Sequence, residues 1–421
     1  MTAAPERRLL VLGAGRHQAP LIRRAEQRGV RVVASDYFPD APGKAFASFP
    51  EDVDALDAAA NTALARRHRV DGVITTGTDM AVVTMADVAE ACGLPCHLTP
   101  DTARVATVKP LMSAALTRHG GRRPASVGVG PGDDPEEIAP LLRFPVVVKP
   151  ADSQGQRGMA RVEDAGRLAA AVAEAAAESR TSRAIVEEFV TGPEVTASAW
   201  VSRGIPHILM VTDRVTYNPP PHIGIALRHV YPSAAAAGRL PEVAAQVNAA
   251  AAAYEMTEGP LYVQMIVGAD AVWTVEAGAR VGGGHENRLI PHATGIDVTD
   301  RLIDLALTGR SEPVRHDYDD ADPGAHALVN FLVARPGTAA RLTGFDDPPP
   351  GFVEGGFYVE EGYTQGEIVN SLGRVGWFLA EGHDPADLSA RADAIYCHLR
   401  FEDASGRNLL FVPGPETLLG G

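Results

Sequence analysis

The sequence predicts a mixed fold: a parallel α/β unit, then antiparallel sheets with flanking helices (α+β), then a further strand-rich unit. Two changes of texture carry that reading. Over residues 9–105, short apolar runs alternate with amphipathic segments, as in strands joined by crossover helices. From Phe144 onward, longer strands follow one another through short turns. Most pairs leave no room for an intervening helix, so an antiparallel sheet is expected there. With 421 residues and roughly 150 residues per domain, several cores are expected.

In chain order, Leu9-Leu10-Val11-Leu12, Val30–Ala34 and Gly72–Thr75 read as the first strands. The first ends in Gly13-Ala14-Gly15 and the second near Asp36, the layout of a dinucleotide-binding turn with its ribose-binding acid. Gln18 stands where the third glycine of G-x-G-x-x-G belongs, so a tight strand-to-helix turn that holds no nicotinamide is favoured. Further strands are expected at 144–149, 184–190, 195–201, 207–212, 261–267 and 271–276, with helices near 164–179 and 239–255. The acidic, proline-bearing stretch Ser311–Gly324 has the composition of a boundary. The expected domains are 1–105, 106–310 with a lid at 120–190, and 325–421.

Composition narrows the function classes. Hydrophobic residues make up 45%, charged residues 22% and aromatic residues 6%, an ordinary globular profile. Lysine plus arginine number 38 against 53 acidic residues, a net charge of −15, so the summed field repels a phosphate backbone and no nucleic-acid partner is expected. Leu9–Leu12 is too short for a signal peptide or a membrane span. Cys92, Cys96 and Cys397 are too few and too scattered for a disulfide framework. A cytoplasmic protein without a membrane partner is the expectation.

Several residues could carry chemistry. Lys149 closes an apolar strand, Phe144-Pro-Val-Val-Val-Lys149, and a buried ammonium is costly unless an anion lies beside it. The following loop, Ser153-Gln-Gly155-Gln-Arg-Gly158, could wrap phosphate oxygens with its amides, or be a plain hairpin turn. Ile185-Val186-Glu187-Glu188-Phe189-Val190 leads to Glu194; such a segment can offer backbone groups to a base and a carboxylate to ribose, with Glu188 a solvated strand face. Gln264 and Glu276 lie six residues either side of Asp270, so a hairpin turning there makes them cross-strand neighbours. Two oxygens would then converge, as for magnesium held between protein and nucleotide phosphates. Arg280, followed by Gly282, Gly283 and Gly284, is placed to clamp a carboxylate or phosphate. Arg228 and His229 are candidate substrate contacts. The sequence contains no H-E-x-x-H and no G-x-S-x-G, so zinc-protease and serine-hydrolase chemistry lack support.

Taken together, these residues make the chain resemble the ATP-grasp superfamily, most closely its stand-alone carboxylate-amine ligases such as the L-amino acid ligases. The resemblance implies an ATP-grasp fold in which 1–105 is the preceding α/β domain and the C-terminal unit is a small β-rich domain. It implies that Lys109 and Lys149 are the two ATP-binding lysines and that Ser153 to Gly158, including Gly155, form the mobile phosphate-covering loop. Glu187 and Val190 would be the adenine hinge, Glu194 the ribose-binding glutamate, Glu276 the magnesium-bridging glutamate and Arg280 the catalytic arginine at the acyl phosphate. Gln264 replaces the family's acidic first metal ligand, and Gly278 its asparagine. Both changes remove oxygen or charge from a magnesium site.

The implied activity is ATP- and Mg2+-dependent ligation of a small-molecule carboxylate to an amine through an acyl phosphate, with amino acids as the expected substrates. A carboxyphosphate-dependent carboxylase of the same fold, and a nucleotide-binding protein with little turnover, are the alternatives. A homodimer stays open.

Overall fold

The computed structural model describes residues 6–153, 155–220, 222–314, 316, 318–319 and 323–413. Gln154, in the expected phosphate loop, lies outside the described residues.

The N-terminal strands form a parallel sheet in the order Phe49–Glu51, Arg31–Ser35, Arg8–Leu12, Gly72–Ile74. Arg8–Leu12 and Arg31–Ser35 are almost wholly buried, as expected of parallel strands covered on both faces. The three-residue strand Phe49–Glu51 was not expected; a run that short shows no periodicity. At the glycine turn, Gln18 Nε2 donates to Thr76 O at 2.5 Å, and Asp36 accepts from the amides of Ala14 (2.8 Å) and Phe38 (2.9 Å). The acid that could have met a ribose therefore ties the turn to itself, which fits the tight-turn reading.

Next come two antiparallel sheets. The smaller runs Ser126–Val129, Ala184–Glu188, Val146–Pro150, Ala160–Val162, and helix Leu168–Ala177 supplies part of its core. The larger has eight strands in the order Val272–Gly278, Glu258–Val267, Glu194–Ser202, Ile205–Tyr217, Ile225–Tyr231, His326–Val333, Arg374–Gly382, Phe352–Phe357. Helix Leu240–Ala253 packs against it.

Three strands of 325–421, His326–Val333, Arg374–Gly382 and Phe352–Phe357, thus continue the central sheet across the acidic connection, while Gly337–Thr338 with Thr364–Gln365 and Arg341–Thr343 with Arg400–Glu402 form two small sheets apart. Strand Ile225–Tyr231 pairs with His326–Val333 directly. The composition shift at 311–324 marks a connection and not a break in the sheet. Helix Pro385–His398 covers this end and contributes to a separate apolar cluster around Phe378, Ile395 and Phe401. Among the described residues, no helix is long and apolar enough to cross a membrane.

Candidate active site

The smaller sheet and one end of the larger sheet face each other across a cleft, and strand register aims their polar residues into it. Lys149 lies in strand Val146–Pro150, beside strand Ala184–Glu188. Its Nζ is 2.5 Å from Glu187 Oε2, and Arg123 Nη2 is 2.6 Å from Glu187 Oε1; all three side chains are buried. The anion expected beside Lys149 is therefore Glu187. Burial alone would raise the Glu187 carboxyl, but Lys149 and Arg123 outweigh it and hold the pKa below its ordinary value. Burial lowers Lys149 more than Glu187 restores it. With its carboxylate held by two cations, Glu187 has only its backbone left for a base.

Lys109 begins helix Lys109–Arg118 and reaches across to the glycine loop, donating from Nζ to Ser153 O at 2.5 Å, with Glu276 Oε1 at 3.9 Å. The Ser153 hydroxyl is buried and has no hydrogen-bond partner among the described residues, and a buried donor of that kind costs stability unless something meets it. Gly158 has φ +63°, and a Cβ there would lie 2.9 Å from Glu178 and 3.0 Å from Pro150, so only glycine fits. The loop is fastened by the C-terminal region, where Ser371 N donates to Gly155 O at 3.1 Å and the Ser371 hydroxyl bonds Gln156.

On the opposite wall, Gln264 and Glu276 are directly paired across the hairpin, as the spacing around Asp270 predicted. Gln264 Nε2 donates to Glu194 Oε2 at 2.9 Å, and its Oε1 accepts from Tyr262 Oη at 3.3 Å. Glu194 also pairs with buried Arg214. Burial raises Glu276, but Lys109, Lys149, Arg280 and Arg214 together bring it below the ordinary value. It stays ionised among cations. Among the described residues, no group of three His, Cys, Asp or Glu could hold a metal ion. The donor set suits a divalent ion that brings phosphate oxygens with it, held by Glu276 and the Gln264 amide oxygen.

One cavity of about 120 Å3 is lined by Lys109, Lys149, Ser153, Gly155, Glu187, Val190, Glu194, Gln264 and Glu276. Phe189, Val190, Glu194, Ile223 and Ile266 also line the adjoining cleft of about 1250 Å3. Nine residues singled out from sequence thus surround one space.

Other candidates sit differently. Arg280 forms a bidentate pair with Asp79, at 2.5 and 2.7 Å, and its guanidinium lies 5.1 Å from the Tyr262 ring centroid. Burial opposes its charge, but Asp79 more than compensates and the pKa is raised. Its clamp is closed on a carboxylate of the chain itself. Arg228 is a correction: its Nε donates to Asn330 Oδ1 at 2.5 Å and Nη2 lies 3.5 Å from Asp393 of the last helix. Adjacent strand residues point to opposite faces; His229, only 2% exposed, packs beside Gly284 and Phe331 in the protein interior.

Gly282 and Gly283, expected from the sequence as substrate contacts, also need correcting, and Gly284 behaves like them. A Cβ would lie 2.3 Å from the Glu286 carboxyl at Gly282, 3.0 Å from Gly77 O at Gly283, and 2.5 Å from His229 Nε2 at Gly284. The close approach they permit is of the chain to itself.

Sequence reading missed Asp79 and a cluster beside it. His285 stacks on Trp377 at 3.6 Å and shares a 2.6 Å hydrogen bond with Tyr358 Oη, and His17 lies 5.8 Å from His285. Burial, then the field of Arg374, Arg280 and Arg16, lowers His17 to about 4. Burial, Arg214 and Arg374 lower His229 to about 3. No short motif links these residues; the fold alone gathers them.

Residues 142–287 match the ATP-grasp domain family. The chain thus carries an ATP-grasp domain over these residues, and its architecture is the ATP-grasp fold. It is similar to a formate-dependent phosphoribosylglycinamide formyltransferase of Burkholderia vietnamiensis, 29% identical over 323 residues that cover 72% of each chain. A protein of the same description from Rhodococcus jostii is 28% identical, covering 76% of this chain and 79% of that one. Among solved structures, the L-amino acid ligase from Bacillus licheniformis superposes with a TM-score of 0.78 at 20% identity, covering 95% of this chain and 100% of that chain. Phosphoribosylglycinamide synthetase from Anaerococcus prevotii does so with 0.74 at 19% identity, covering 94% and 100%.

Proposed function

We propose that the chain is an ADP-forming ligase that activates a small carboxylate with ATP and joins it to an amine. The supporting observation is the cavity where two lysines, a serine hydroxyl without a partner among the described residues, and the ionised Glu276 carboxylate converge. Phosphoryl transfer demands positioning and charge neutralisation more than covalent help. Lys109 and Lys149 would neutralise phosphate oxygens, and the Ser153 hydroxyl and the loop amides would bond others. A magnesium ion held by Glu276 and Gln264 supplies further neutralisation when bound with the nucleotide.

In the first step, a carboxylate oxygen of the acid attacks the γ-phosphorus and ADP leaves. In the second, the amine attacks the acyl phosphate carbonyl, phosphate leaves and the amine loses a proton. Loop 153–158 would shield the acyl phosphate from water. Arg280 would be the cation that steadies the attacked carbonyl once its bidentate pair with Asp79 gives way.

Two amino acids are the proposed substrates. The second reading, formate with phosphoribosylglycinamide, is favoured by the names of the sequence relatives. Purified protein with Mg-ATP is incubated with paired acids and amines, with formate plus phosphoribosylglycinamide, and with bicarbonate alone. ADP release that needs both an amino acid donor and an amine supports the first reading. Release only with formate and phosphoribosylglycinamide supports the second, dependence on bicarbonate supports a carboxylase, and ATP binding without ADP release refutes ligation.

A further inference from the structure

Gly278 lies two residues beyond Glu276 in strand Val272–Gly278, so both positions face the same side of the sheet, about 7 Å apart along the strand. Register sets Gln264 opposite Glu276 and Tyr262 opposite Gly278, which makes one polar face of two rungs. The second rung has no side chain of its own at 278. Its place is taken from outside the sheet: a Cβ on Gly278 would lie 2.9 Å from Asp79 Oδ1 and 3.5 Å from Arg280 Cγ. The Asp79 carboxylate therefore stands where a side chain of the strand itself would stand, next along the face from Glu276.

Asp79 is carried by residues 77–80, between strand Gly72–Ile74 and helix Val82–Cys92. This connection meets the site at two points. Asp79 grips Arg280 with both oxygens, the two side chains being largely buried, and Met80 Sδ accepts from Arg157 Nη2 of the glycine loop at 4.0 Å. Tyr254 Oη donates to Ala277 O, between the two rungs, at 3.0 Å and feels the charges of both Asp79 and Glu276. Closed on each other, neither Asp79 nor Arg280 lines the cavity that Glu276 lines.

We propose that Asp79 is an exchanging carboxylate: it either holds Arg280 or binds the divalent ion beside Glu276, and in turning to the ion it frees Arg280 for the acyl phosphate. This rests on the ligase reading and names the event that arms Arg280. The two uses exclude each other, because a guanidinium fork occupies both oxygens of one carboxylate and a hard divalent ion takes those same anionic oxygens. Glu276 and the Gln264 amide offer the ion one negative charge between them; Asp79 brings a second. The consequence is order. Arg280 reaches the cavity only after metal and phosphates are seated there, so the group that polarises the carbonyl is withheld until the nucleotide that activates the acid has arrived.

ADP is titrated calorimetrically into the full chain at stepped magnesium concentrations, and the dependence of its affinity on magnesium gives the metal affinity of the bound complex. Circular dichroism establishes folding. Asp79→Asn, isosteric but uncharged, should weaken magnesium binding about 10-fold or more. Arg280→Lys keeps every charge but replaces the fork by a single ammonium, so competition for the carboxylate relaxes and magnesium should bind about threefold or more tightly. Combining the two substitutions should abolish that gain, since no exchanging carboxylate is left. Wild-type magnesium affinity in folded Asp79→Asn overturns the proposal. So does Arg280→Lys with unchanged or lowered affinity, a gain that survives in the double variant, or a wild-type chain that binds ADP without responding to magnesium. If wild type binds no ADP at any magnesium concentration, the ligase reading itself fails.

Discussion

Removing the Lys149 ammonium is the most direct test of the phosphate site. In Lys149→Ala, Glu187 keeps Arg123 at 2.6 Å, so its charge is not orphaned and the sheet should hold. What disappears is a buried cation beside Ser153 and Lys109 in the cavity. Truncating one partner of a buried charge-assisted pair costs about 2–5 kcal/mol. At about 1.4 kcal/mol per tenfold, Mg-ATP should bind about 30-fold to several thousandfold more weakly. Lys149→Met, which keeps most of the apolar stem, should lose as much, because the loss is of charge. Calorimetric titration with Mg-ATP, alongside circular dichroism to establish folding, measures it. Wild-type affinity in either folded variant would remove Lys149 from nucleotide binding.

Three further outcomes are expected. Gln264→Glu should tighten magnesium binding yet lower the melting temperature without metal, since a carboxylate would replace the amide that now donates to Glu194 at 2.9 Å; an unchanged magnesium titration excludes position 264 from the metal site. Gly284→Ala should cost about 1–3 kcal/mol in denaturant unfolding, because the new Cβ would lie 2.5 Å from the buried His229 ring; a neutral effect would show that this packing is slack. His229 titrates near about 6.5 in the unfolded chain but only at about 3 when folded. Between these values the unfolded state binds the extra proton, so stability is present above pH 6.5 and falls as pH drops toward 3; His229→Gln should flatten that slope by about one proton, and an unchanged slope would contradict neutral burial.

Legibility in the sequence followed locality. Lys149, the glycine loop and the Gln264–Glu276 pair were readable because each belongs to one strand, one turn or one hairpin, where alternation and spacing decide which way a side chain faces. Arg280 was readable as a site residue, but its partner was not: Asp79 lies 201 residues away, and nothing in Thr76-Gly-Thr-Asp79 marks it as ligand to a guanidinium. The glycines after Arg280 announced close approach without saying to what. Arg374 and the histidine cluster draw on strands far apart in the chain, and the continuous eight-stranded sheet that gathers several of them was hidden behind a connection whose composition resembled a boundary.

The pairing pattern explains why a metal should accompany the nucleotide. Lys149 and Arg123 share Glu187, Arg214 holds Glu194, and Arg280 holds Asp79. Only Lys109, 3.9 Å from Glu276, is loosely matched. These five cations and four carboxylates leave about one positive charge for a triphosphate tail carrying several negative charges. An array so nearly balanced attracts bare ATP weakly. A divalent ion bound to the phosphates changes the sum, and it gives Glu276, the one carboxylate without a short ion pair, a partner. The ligand that this site complements electrostatically is the metal–nucleotide complex, so nucleotide affinity should rise with magnesium in the Lys149-intact protein and should fall back when Glu276 is replaced by glutamine.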